Sequence, residues 1–242
     1  MLGRFGVYDF IANLIPGLAF LWALSWLAQF FGHRPIIPIS GSIGDTTVMI
    51  AWAYIVGLLL QGIAQGVVER AVLVLSGGFP SAKWLLEGGE CFTDQHRKAL
   101  KEAIHDYFGE PVEPVIANGL DAKTRDALRL RRYQELFYLC YNLVEQKKLS
   151  DRPLIFNAQY GLFRALLTFA LMLLVVFSIS FWQGWKEIVQ RNSVGVFQSV
   201  IAFLVISAVI SYFRMKKRGE DFAKSVYDLF YGFYRQEREP GK

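Results

Sequence analysis

Charged residues almost vanish from four stretches of this chain: Tyr8 to Phe31, Val48 to Val68, Tyr160 to Trp182 and Val194 to Phe213. Each holds roughly 20 residues, the length of helix that crosses a hydrocarbon core of about 30 Å. Only Asp9, at an end, and Arg164, one turn in, are charged within them. A soluble chain of this length buries a single large core without gathering its apolar residues into such runs. Four transmembrane helices are therefore expected. The first run is too long, and its amino-terminal charge too slight, for a cleaved signal peptide, so it reads as a retained span.

Between the second and third runs the pattern changes to the period of amphipathic helices. Ser81 is placed to cap a short helix, AKWLLE, which Gly88 and Gly89 would end. Thr93 offers an N-cap for DQHRKALKEAIHDYF, with Gly109 as its stop and Leu100, Ile104 and Phe108 as its apolar stripe. From Thr124 a longer helix presents Leu136, Cys140 and Val144, with Phe137 and Leu143 beside them, until DRP at 151–153 breaks it. In the tail, Phe222, Val226, Leu229, Phe230 and Phe233 recur at i, i+4, i+7, i+8 and i+11, an amphipathic helix. The fold class that follows is an all-α integral membrane protein. Two transmembrane hairpins, 1–70 and 159–213, flank a helical cytoplasmic domain at 71–158, and an amphipathic cytoplasmic tail occupies 214–242.

Charge sets the expected orientation. The loops 32–47 and 183–193 carry three Lys or Arg residues (Arg34, Lys186, Arg191), whereas 1–7, 69–159 and 214–242 together carry 22. The positive-inside rule then places both termini and the middle segment in the cytoplasm, with Trp182 and Trp185 at the outer interface. The net charge of +5 is mainly juxtamembrane, because 69–159 balances 13 basic against 13 acidic residues. It is therefore poor support for nucleic-acid binding. Cys91 and Cys140 both fall on the reducing side and are expected as free thiols.

Residues for catalysis are hard to assemble. His96 and His105 lie nine apart on one predicted helix, on nearly opposite faces, and no zinc pattern forms around Cys91. Arg97 and His105 are separated by seven residues, one too many for the Arg-x(4–6)-His of HEPN ribonucleases. There is no GxSxG, P-loop or HExxH. No enzyme activity, metal or cofactor is expected. One basic row stands out: Arg125, Arg129 and Arg132 fall at i, i+4 and i+7, a spacing able to hold phosphates of a nucleotide or oligonucleotide, with Lys98 and Lys101 as extensions. The bland alternative is a solvated helix face.

The spans themselves contain polar groups. Asn13 precedes Pro16-Gly17 in the first. In the second, Ala53, Gly57, Gln61 and Gln65 recur at steps of four, ending at Glu69, with Gly62 and Gly66 beside them as a GxxxG pair for close packing. Asn13, Gly57, Gln61, Gln65 and Glu69 then either hold helices together or line an aqueous path in an oligomer. The layout, with its LIPG-bearing first span, resembles that of small multi-span membrane effectors of bacterial anti-phage systems. That resemblance implies permeabilisation or depolarisation of the inner membrane. The expected function is an oligomeric channel or pore gated through its cytoplasmic domain by a regulatory partner or a nucleotide-like ligand. The rival is a non-conducting membrane scaffold that recruits a cytoplasmic protein.

Overall fold

The computed structural model describes residues 6–34, 43–76, 78–86, 92–114, 121–191 and 193–238. Among them there are helices and no strand. In chain order these are α1 (Gly6–Phe30), α2 (Ile43–Ile63), a π-helical turn (Ala64–Val68), α3 (Glu69–Ser76), α4 (Pro80–Lys83), α5 (Asp94–Phe108), α6 (Ala122–Gln146), α7 (Arg152–Gln183), α8 (Trp185–Gln190) and α9 (Val194–Arg238). Four helical stretches are long and apolar enough to cross a membrane: Ala12–Phe30, Ile43–Val74, Arg152–Gln183 and Val194–Arg238. Their surfaces fit a lipid solvent, since Trp22, Trp52, Leu59, Val67, Phe203 and Phe213 are all more than half exposed.

The chain divides into two units, 1–71 with 158–216, and 72–157 with 217–242. In the first unit α1 and α2 meet backbone to backbone. A Cβ on Gly17 would stand 1.8 Å from the carbonyl oxygen of Ala53, and one on Gly57 would stand 1.9 Å from that of Asn13. Only glycine permits that approach, because the obstructing atoms are main chain. Pro16 lies within α1 without ending it. At the other end of the unit, Trp26 and Phe30 of α1, Phe177 of α7 and Phe197 of α9 stack and edge together around buried Leu27, Leu173 and Ile188.

The second unit has a core of its own. Leu85, Leu100, Ile104, Leu136, Cys140, Val226, Tyr227 and Phe230 are fully or almost fully buried in it. The stripes expected on α5, α6 and the tail thus face one another. Thr93 caps α5 by accepting from the His96 amide, and Gly109 ends it in the left-handed conformation, φ 68°. Burial holds the Cys140 thiol above its ordinary range, and it is free. Cys91 and the Gly88-Gly89 stop lie outside the described residues.

Three local expectations change. Ser81 is not the cap of α4 but lies buried inside it: Phe79 is the N-cap and Pro80 takes the first helical position, where its missing N–H costs nothing. α6 begins two residues before Thr124, because Asp121 accepts from the Thr124 amide as N-cap. The tail is not a separate helix. Nothing between Phe213 and Phe222 breaks the backbone pattern, and α9 runs unbroken from Val194 to Arg238.

The α1–α2 crossing gives a direct test. Gly57→Leu should lower the melting temperature of the detergent-purified protein, at a cost of about 1–3 kcal/mol or more. Under conditions that keep the protein monomeric, Gly62→Leu and Gly66→Leu should leave it at or above the wild-type value, since a Cβ at either position meets nothing of its own chain within 4 Å.

Candidate functional site

Steps of four on an α-helix drift by about 40° each, whereas a contact face follows the 3.6-residue turn. The buried face of the second span is accordingly Ala53, Gly57, Leu60, Ala64 and Val68. The expected strip begins on this face and leaves it: Ala53 and Gly57 are buried, Gln61 is partly buried, and Gln65 is exposed. Gly62 and Gly66 are exposed too. Eight α-helical residues would leave Glu69 about 80° round from Gln61. The π turn winds less per residue, closed by the Glu69 amide donating to the Ala64 carbonyl, and takes up that excess. It brings Gln61 and Glu69 to the same neighbour.

That neighbour is α7. Arg164 donates from Nη1 to Glu69 Oε2 at 2.6 Å and from Nη2 to Gln61 Oε1 at 3.1 Å. The Gln61 amide nitrogen donates to the Gly161 carbonyl at 3.1 Å, and the Tyr160 hydroxyl donates to Glu69 Oε1 at 2.8 Å. The guanidinium carbon also stands 5.6 Å from the centre of the Tyr160 ring. The Arg164 carbonyl accepts from the buried Thr168 hydroxyl, one turn on, at 3.0 Å. The ion pair is well covered, with 11% of the Arg164 side chain and 14% of the Glu69 side chain exposed.

Both oxygens of Glu69 and both functional ends of Gln61 are used within the chain. The cluster is electrically neutral and cross-links two apolar helices. No group of three or more His, Cys, Asp or Glu among the described residues is placed to hold a metal. Its chemistry is that of a polar lock.

The other candidates sit elsewhere. Asn13 is buried on α1, its backbone against Gly57. Arg125 is exposed on α6. Arg129 lies 3.7 Å from Glu113 and 3.9 Å from Asp126, while Arg132 pairs with Glu110 at 2.8 Å and Glu135 at 3.5 Å. The Arg125–Arg129–Arg132 row thus shares its charge with acids of its own unit. Lys101 joins it, binding Glu113 and the Tyr133 hydroxyl at 2.8 and 2.9 Å. Burial pushes the Glu113 carboxyl up, but the hydrogen bonds from Lys101 and Tyr133 and the charges of Lys101 and Arg129 outweigh it and hold the group below its ordinary range.

Tyr160 and the Gly161 carbonyl were not visible as partners in the sequence. The available signal was an acid just past one span and an arginine one turn inside another, a pair that a hydrocarbon solvent pushes together. Arg97, in the second unit, is another residue whose partners helix spacing did not show. It is buried, donating to the carbonyls of Trp84 at 3.2 Å and Phe92 at 3.0 Å, with Asp94 at 2.6 Å. It fastens the start of α5 to the residue that follows α4.

Arg164→Leu leaves Glu69 covered and without its cation, which should cost about 3–5 kcal/mol. Glu69→Leu should be comparably damaging. The double substitution should recover much of the loss, giving a large coupling energy in a thermal-denaturation cycle. Additive losses would mean that the two side chains act independently.

The chain matches no family model, no curated protein and no solved structure in comparisons with each, so its site is interpreted from geometry.

Proposed function

We propose that several copies of this chain assemble in a bacterial inner membrane into a channel or pore, a depolarising effector opened through its cytoplasmic unit. The observation that carries this is the exposed amide of Gln65 in the π turn of an apolar helix, between exposed Gly62 and Gly66. An amide facing hydrocarbon without a partner costs several kcal/mol by transfer scales. Polar side chains in spans face a bundle interior or an aqueous cavity, and π turns recur at functional sites. The interior of a single chain is not where this amide points. Gln61 is closed on Arg164 and Gly161, so the pore lining falls to Gln65 from each copy, with the glycines admitting the neighbouring helix. The excess of Lys and Arg in 69–159 and 214–242 supports a cytoplasmic location for both termini and the second unit. The layout resembles that of anti-phage membrane effectors, which suggests the setting in which such a depolarising protein acts.

The polar lock favours a second reading. A neutral cluster closed between two helices of one chain suits a non-conducting anchor equally well, with the second unit recruiting a cytoplasmic protein. Ion flux from liposomes separates the two. The wild-type protein should conduct, and Gln65→Leu should change unitary conductance several-fold while oligomer mass is unchanged. Absence of flux, or conductance indifferent to Gln65→Leu, would favour the anchor.

A further inference from the structure

In the second unit one acidic loop lies on a floor of cations drawn from two helices. Glu110 and the Pro111 carbonyl are gripped together by Arg132, at 2.8 Å to the carboxylate and 2.8 and 3.0 Å to the carbonyl oxygen. Glu113 takes Lys101 on one oxygen at 2.8 Å and faces Arg129 on the other at 3.7 Å. The layering is informative. The Lys101 and Arg132 side chains are 18% and 20% exposed, whereas the carboxylates of Glu113 and Glu110 are 53% and 50% exposed. Lys101 and Arg132 form a covered layer beneath the acids, and Arg129, 45% exposed, lies level with them.

We propose that this loop is an internal stand-in for a ligand carrying consecutive phosphates, and that such a ligand competes with Glu110 and Glu113 for Lys101, Arg129 and Arg132. Glu110 and Glu113 are the two acids that reach these cations from the loop; Asp126 and Glu135 pair with Arg129 and Arg132 from α6 itself, and exposed Arg125 continues the row beyond them. Arg132 already binds two oxygens of consecutive residues with its planar fork, the geometry with which guanidinium groups take phosphate. Half-exposed ion pairs are weak and salt-sensitive, so an anion offering more acceptor oxygens displaces them. Displacement frees a loop that otherwise ties the end of α5 to α6. This supplies the gating half of the function proposed above with a ligand class. It does not depend on conduction, and its test reads binding alone.

The probe is inorganic triphosphate, titrated by calorimetry into the full-length protein in detergent. Glu110→Gln with Glu113→Gln should bind it at least tenfold more tightly than wild type, and adding Arg129→Gln and Arg132→Gln should abolish the gain. Should the double variant fail to fold, each single glutamine variant should still show a gain of threefold or more. Wild-type affinity in the folded glutamine variants would overturn the proposal. So would an equal gain with sulfate at matched ionic strength, or a gain that survives loss of the two arginines.

Discussion

A guanidinium at the centre of an apolar span costs about 2.5–3.5 kcal/mol on insertion scales, and pairing the charge with an acid within the protein lowers what it costs wherever along the span it stands. Arg164 is neutralised by Glu69, hydrogen-bonded to Gln61 and set beside the Tyr160 ring. Much of the first unit's local structure follows from this requirement. α2 and the turn after it must deliver two acceptors eight residues apart to one side chain, and a regular helix would present them on different faces. The π turn at Ala64–Val68 resolves the mismatch. The Glu69 carboxylate therefore marks the place where the second span is fastened to the third, and the Gly161 carbonyl fastens Gln61.

The same constraint divides the glycines and amides of the second span into two populations. Gly57 is needed for the α1 contact, where any side chain would strike the backbone of Asn13. Gly62, Gln65 and Gly66 are turned outward, and a Cβ on either glycine would meet nothing within the chain. Residues of one composition, a few positions apart, thus serve two solvents: the protein's own interior and whatever lies beyond the helix. That outward set is the part of the span with a claim on function.

The four long apolar helices were legible because charge is so costly in hydrocarbon that a run of about 20 residues without it has the composition a span requires. The stripes of α5 and α6 were legible for the same reason at lower stakes, as were Thr93 and Gly109 at the ends of α5. The partition of the second-span strip was not. A step-of-four pattern looks continuous in sequence, but its drift of about 40° per step decides which members touch a neighbour, and the π turn that re-aims Glu69 has no sequence signature. The basic row of α6 was legible as a row. Its engagement by Glu110 and Glu113 depends on a loop folding back from α5, a tertiary event that helix spacing does not encode.

All of this turns on Gln61 facing the third span of its own chain, and proximity in the membrane can be measured directly. In a background with Cys91 and Cys140 replaced by serine, Gln61→Cys with Gly161→Cys can be treated in membranes with a short bifunctional thiol reagent. The geometry predicts an intrachain product that runs as a monomer on a denaturing gel. Cross-linked dimers without that product, or no cross-link although both thiols label singly, would contradict it.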